Sequence, residues 1–563
     1  MSRFLWLLLI VCVAKEAVAQ KTSAYSYSIQ KKTETRNGAV VSAHPLASKA
    51  GLDVLKQGGN AIDAAIATQL ALAVVYPGAG NLGGGGFMVA RLQNGQVVSL
   101  DYREKAPASA SRDMYLDNKG EALTEKSQNG HLAAGVPGTV AGLFASMKYA
   151  KLPFKKLIQP AIDLAEKGFV ITAAEARGLN GTQDEFKKYN TVQPVFVKAT
   201  AWKAGDTLVQ KDLANTLKRI RDNGQKGFYE GKTAELIVAE MKRGNGIITL
   251  NDLKQYQAKW RTPIQVDYKG YKIVTMPLPS SGGILLPQML KMVENEPLKQ
   301  YGFHSLQAVQ LMTEVERRAY ADRAKYLGDV DFYKVPVKQL ISKEYAKARM
   351  KDYVPDKAGN SKDVQAGIIP ESEETTHLSV YDKSGNAVAV TTTLNGGYGS
   401  RTVVGGAGFL LNNEMDDFSV KPGVPNMYGA VGAEANAIEP GKRMLSSMTP
   451  TIVLKNNKPY LVVGTPGGTT IPTSVFQTLV NILDFELTAE EAVNKPKFHH
   501  QWLPDELYLE RDFPENITVR LKQIGYTINS RGQIGRTEVI KIYPDGKIEA
   551  VADKRGDDDA RGW

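Results

Sequence analysis

Between Pro45 and Gln57 apolar residues recur at helical spacing and stop at Gly58-Gly59, which predicts a helix there. Asn60 is placed to cap a second, alanine-rich helix that runs to Val75 and ends ahead of Pro77. Asp63 and Gln69 inside it mark a buried core helix rather than a membrane span. "GNLGGGGFMVARL" follows, then the strand-like "VVSLDYREKAP". From about Phe154 to Ala348 polar helical segments dominate, broken by "MPLPSSGG" at Met276 to Gly283. Tyr353 to Glu374 is polar, carries Pro355, Gly359, Gly367 and Pro370, and has little period. An unstructured run of that kind inside a domain usually has a function or is not covalently constrained in the mature state. After Thr375 the texture turns to short alternating strands, glycine-rich turns and loops.

The junction itself reads as a hairpin. "HLSVY" and "AVAVT" alternate with period two, and "DKSGN" between them supplies turn residues. A loop centred near Ser384-Gly385 sets Thr375 across from Thr393 or Leu394, with Thr391 and Thr393 on one face. Cross-strand threonines also occur for structural reasons alone, but three features point to chemistry. A cut between Glu374 and Thr375 follows the aperiodic segment and costs no core contacts. The freed residue would carry a hydroxyl and an α-amine whose ordinary pKa is about 8, fit to serve as a base. β-Branching restricts χ1 and holds the hydroxyl in few orientations. These describe an N-terminal threonine nucleophile that matures by attacking its own upstream carbonyl.

Composition narrows the alternatives. The 563 residues are 43% hydrophobic and 23% charged, the balance of a soluble globular protein with one large core or a few domains. The net charge of +11 is spread among 59 acidic residues with no basic block, which argues against nucleic acid and fits a mild preference for small anions. Residues 1–19 put Arg3 before an apolar run and close on Ala17-Val18-Ala19, an export signal cleaved after Ala19 that leaves no stable membrane anchor. Cys12, the single cysteine, lies in that run, so the mature chain has no disulfide, thiolate metal site or cysteine nucleophile.

Other motifs fail on context. Gly78 to Gly83 fits G-x-G-x-x-G by letter but follows a helix and precedes a strand, the reverse of a dinucleotide turn. Gly227 to Thr233 is one residue short of a phosphate loop. His499 and His500 adjoin in an extended stretch and point to opposite sides, as core histidines rather than chelators. Neither G-x-S-x-G nor H-E-x-x-H occurs.

"ETTHLSVYDKSGNAVAVTTTLN", "GFLLNNEMDDFSVKPGVPNMYG", "KRMLSSMTPTIV" and "GTPGG" resemble the γ-glutamyltransferases, or γ-glutamyl transpeptidases. "GNLGGGGFMV", "DYREKAPASASRDMYLD", "GVPGTVAGL" and "PLPSSGG" carry the likeness through the N-terminal half, so it covers nearly all of the mature chain in order. The resemblance implies an α/β (α+β) fold, a four-layer αββα sandwich of the N-terminal nucleophile hydrolase type. It implies a large subunit of residues 20–374 and a small subunit of residues 375–563, held as a heterodimer and exported to the periplasm or medium. Thr375 would be both the self-processing group and the nucleophile, with Thr393 as its hydrogen-bonding partner and Gly467 and Gly468 as oxyanion donors. Arg103 would grip the substrate α-carboxylate with Ser446 and Ser447, and Asp417, Asn395 and Glu414 would hold the α-ammonium. Tyr428 would tip a lid over the pocket. The implied reaction is ping-pong transfer from glutathione and related γ-glutamyl compounds to water, amino acids or short peptides, without metal or cofactor. Met444 stands where the family usually has proline, and Thr469-Thr470 where bacterial relatives more often have Ser-Arg. A cephalosporin or glutaryl acylase of the same superfamily would keep Thr375 without the amino-acid pocket, and a noncatalytic exported binding protein would use the threonines as ordinary strand residues.

Overall fold

Odd and even positions of the hairpin go to different places. In the computed structural model of the chain, Leu378, Val380, Val388 and Val390 pack on helices, whereas Ala387 and Ala389 pack on a second sheet. The structure describes residues 24–364, 375–421, 424 and 433–563, so the leader, Glu374 and Tyr428 lie outside the described residues.

Two seven-stranded sheets stack face to face, and every strand pair within them is antiparallel. One runs Asp559–Gly562, Gly38–Ser42, Thr376–Asp382, Ala387–Thr393, Gly85–Arg91, Val97–Asp101 and Lys259–Arg261 in spatial order. The other runs Lys32–Thr35, Ile548–Val551, Glu538–Ile542, Lys458–Gly464, Thr451–Lys455, Tyr271–Thr275 and Ile264–Tyr268. Val41, Phe87, Val89, Val274, Ile452 and Val462 fill the space between them. Helices Pro45–Lys56 and Ala61–Val75 cover the outer face of the first sheet, and Gly282–Val293, Leu306–Tyr326 and Thr470–Leu483 cover that of the second. The result is the expected αββα order of layers, each sheet buried on both faces.

Local signals account for much of this. Asn60 caps the Ala61–Val75 helix in a reciprocal box with Asp63, as the cap position predicts. The hairpin register pairs Thr376 with Thr392 and His377 with Thr391, so one further step sets Thr375 beside Thr393 rather than Leu394. Two block readings are corrected. The stretch expected to be helical contains Lys259–Arg261, Ile264–Tyr268 and Tyr271–Thr275, because "IQVDY" and "YKIVT" alternate about a Lys269-Gly270 turn with positive φ at both residues. The strand-rich half contains the helix Thr470–Leu483, whose β-branched residues are held helical by burial along nearly its whole length.

The turn of the hairpin is also fastened to the helix layer. Asp382 accepts hydrogen bonds from the backbone N–H of Ala61 at 2.8 Å, of Ser384 at 2.8 Å and of Asn386 at 3.1 Å. Asp382→Ala orphans all three donors and is expected to lower stability by about 2–4 kcal/mol. A urea unfolding curve checks this; an unmoved midpoint would show that the turn needs no such anchor.

Candidate active site

Thr375 lies at the head of a central strand, on the odd-numbered face that looks into the other sheet, and is only 7% exposed. Below it on that face, His377 shares hydrogen bonds with Thr391 Oγ1 at 2.9 Å and Ser379 Oγ at 3.1 Å. Burial pushes the His377 imidazole down to about 3, so this neighbour is neutral. A Cβ on Gly464, in the facing sheet, would come within 2.2 Å of the His377 ring, so glycine there lets the sheets close.

From Gly464 the chain runs on to the turn that meets Thr375. The Gly467 N–H donates to Thr375 Oγ1 at 3.0 Å. Gly467 and Gly468 have φ of 135° and 55°, a conformation that favours glycine. Thr470 locks the turn by donating its N–H at 2.9 Å and its Oγ1 at 2.7 Å to Gly467 O. Thr470 also opens the helix Thr470–Leu483, whose positive N-terminal end therefore sits at this turn.

Thr375, Thr393, Asn395, Arg103, Glu414, Asp417, Ser446, Ser447 and Gly468 line one pocket, so nearly all of the sequence-derived residues converge. Gly467 joins them through its bond to Thr375. Asn395 ties the pocket wall to Thr393 by donating its N–H to Thr393 Oγ1 at 2.7 Å. Arg103 leaves the end of the Val97–Asp101 strand and is buried. Its Nη1 pairs with Glu414 and its Nη2 with Asp417, while Nε and Nη2 also donate to the carbonyls of Met444 at 3.3 Å and Leu445 at 3.2 Å. Asn436 steadies the same wall, donating to Asp417 O at 2.7 Å and accepting from Leu445 N at 3.0 Å.

Sequence reasoning missed two charged members. Arg323, from the helix Leu306–Tyr326, lines the pocket and touches Ser447 Oγ at 3.2 Å. Glu104 is fully buried with Arg103 Nη1 at 3.6 Å. Only adjacency to Arg103 could have flagged Glu104, and only a basic residue on an otherwise packed helix could have flagged Arg323. Burial raises the carboxyls of Glu414 and Asp417 above the usual range, with Arg103 opposing in both, and pushes Glu104 up to about 8. Burial works against the charge on Arg103, but Glu414 and Asp417 outweigh it. The pocket thus sets three carboxyls around one guanidinium, an arrangement suited to a ligand with an ammonium and a carboxylate. Among the described residues no cluster of three metal-ligating side chains occurs.

The family model described as gamma-glutamyltranspeptidase matches residues 47–563. The glutathione hydrolase proenzyme of Escherichia coli (strain K12) is 47% identical over 552 residues, 96% of this chain and 95% of that protein. The structure of gamma-glutamyltranspeptidase from Helicobacter pylori is 46% identical with a TM-score of 0.57, covering 61% of this chain and 97% of that one. The structure of cephalosporin acylase from Bacillus halodurans superposes with a TM-score of 0.84 at 29% identity, covering 96% of this chain and 98% of that one.

Glu104 gives the site a signature in stability. Its folded pKa lies above the unfolded value of about 4.3, so the folded state binds the extra proton and loses stability as pH rises between the two values. Glu104→Gln removes that proton uptake and is expected to narrow the gap between unfolding midpoints at pH 5 and pH 9. An unchanged gap would place the carboxyl in the ordinary range.

Proposed function

The chain belongs to the gamma-glutamyltranspeptidase family and is a γ-glutamyltransferase and glutathione hydrolase, and on that premise we propose that Thr375, freed by a cut after Glu374, is its nucleophile. Its αββα sandwich is that of the N-terminal nucleophile hydrolases. The observation that carries the proposal is the Gly467 N–H bonded to Thr375 Oγ1 within a pocket that also holds Arg103 and Asp417.

Thr375 Oγ attacks the γ-carbonyl carbon of the donor, and its proton passes to the residue's own α-amine. The Gly467 and Gly468 amides stabilise the developing oxyanion at the turn that Thr470 holds. The C–N bond breaks, the amine leaves with the proton, and a γ-glutamyl ester remains on Thr375. Water or an acceptor amine then attacks the ester and gives a proton to the α-amine, which passes it to Thr375 Oγ as the ester C–O bond breaks. Arg103, Ser446 and Ser447 take the donor α-carboxylate, and Asp417, Glu414 and Asn395 take its α-ammonium. Arg103 is paired with Glu414 and Asp417, so the carboxylate and ammonium of a zwitterionic donor meet opposite charges that already face each other. A glutaryl acyl group lacks the ammonium, which leaves that acid cluster idle and sets the acylase reading aside.

The same reading makes residues 20–374 and 375–563 the two subunits of a heterodimer. Interleaving supports this, because each sheet takes strands from both sides of residue 375. Export follows from the leader at residues 1–19, and among the described residues no helix is long and apolar enough to cross a membrane.

Denaturing electrophoresis and amine release from a γ-glutamyl anilide, with and without glycylglycine, test the proposal. Thr375→Ala is expected to stay as one uncut band and to lose roughly a thousandfold or more of the turnover. A variant that still splits, or a wild-type chain that never does, would sink it.

A further inference from the structure

The mechanism above leaves Arg323, the second guanidinium of the pocket, without a task. Arg323 is 5% exposed and reaches two hydroxyls: its Nε donates to Ser281 Oγ at 3.1 Å and its Nη2 to Ser447 Oγ at 3.2 Å. Ser281 in turn donates its backbone N–H at 2.6 Å and its Oγ at 2.8 Å to Ser446 O. One side chain therefore braces both serines, Ser447 through its hydroxyl and Ser446 through its carbonyl.

The direction of these bonds has a chemical consequence. A hydroxyl carries one proton, so an oxygen that accepts from a guanidinium keeps that proton for another acceptor, and the cation behind it makes the O–H a stronger donor. Ser447 lines the pocket, where the acceptor on offer is an incoming carboxylate. Charge points the same way. Glu104, Glu414 and Asp417 surround Arg103, so Arg103 alone leaves the pocket with an excess of carboxyl groups against a carboxylate ligand.

We infer that Arg323 is a positioning residue for donor recognition: it aims the Ser447 hydroxyl at the donor α-carboxylate and supplies the second positive charge that admits it. The inference rests on the γ-glutamyl reading of the pocket. It assigns Arg323 no part in proton transfer or in the attack by Thr375.

Steady-state kinetics with a γ-glutamyl anilide on the wild-type protein, Arg323→Gln, Arg323→Lys, Ser447→Ala and the Arg323→Gln/Ser447→Ala double variant test it. Arg323→Gln is expected to raise KM about tenfold to a hundredfold with kcat within about threefold, the scale of one charge-assisted hydrogen bond. Arg323→Lys keeps the charge but cannot serve both hydroxyls, and it should recover part of the loss. The double variant should be little worse than the worse single one, because both changes remove one contact. Should Arg323→Gln fail to fold, Arg323→Lys and Ser281→Ala carry the test, each with an expected KM rise of about threefold. A loss confined to kcat, an unchanged KM, or effects that multiply in the double variant would overturn the inference. An inactive wild-type protein would instead overturn the reading of the pocket.

Discussion

The antiparallel ladder that sets Thr376 opposite Thr392 is the constraint on which the site depends. The strand it builds is flanked by Gly38–Ser42 on one side and Ala387–Thr393 on the other, so its backbone groups are paired along both edges. Thr375 is the residue just ahead of those bonds, and a new chain end there breaks none of them. A cut there and rigidity are therefore compatible: a terminus is normally the most mobile part of a chain, yet the proposed one would start in the middle of a buried sheet. Period two then does the aiming, since the face that carries Thr375 and Thr393 is the one that looks at the Gly467 turn.

Electrostatics supplies the second constraint. A buried pocket that takes an amino-acid end must hold both signs of charge before the ligand arrives, and isolated buried charges are costly. Here the cost is reduced by mutual pairing of Arg103 with Glu414 and Asp417 and by carbonyls that accept from the guanidinium. The pocket is thus a set of paired charges whose contacts a ligand's own ammonium and carboxylate can take over.

What was legible in the sequence follows from which interactions are local. The hairpin register, the Asn60 cap and the separation of His499 from His500 rest on residues close in the chain. Both imidazoles are buried: His499 meets Gln501 and Thr473, while His500 faces Asp505. The convergence of Arg103, Asn395, Glu414, Asp417, Ser446 and Ser447 on Thr375 was legible only through family resemblance, because the fold brings together segments from 20 to 272 residues away from Thr375. The helix Leu306–Tyr326 misleads for the opposite reason. Its charged residues suggest a solvated side, but Glu314, Glu316, Arg317, Arg318, Asp322 and Arg323 are all buried. They are tolerated because they satisfy one another and the neighbouring loops, as Glu314 does with Arg317 at 3.2 Å and Arg318 at 2.6 Å.

The departures at Met444 and Thr469-Thr470 can be placed on the same footing. Met444 touches Arg103 through its carbonyl, and Thr469 meets Tyr320 through its own. Thr470 holds Gly467 by its N–H as well as its hydroxyl, and any residue but proline could make the first of these bonds. Side-chain identity at these positions therefore bears weakly on the parts proposed to run the reaction, which are backbone amides, a threonine hydroxyl and a guanidinium. The Thr469 hydroxyl donates to Gln501 Oε1 at 2.9 Å, and the side chain is buried outside the lining of the Thr375 pocket. On the proposed reading, reaction class and substrate preference thus rest on different atoms: the first on the backbone around Gly467, the second on the side chains that line the pocket.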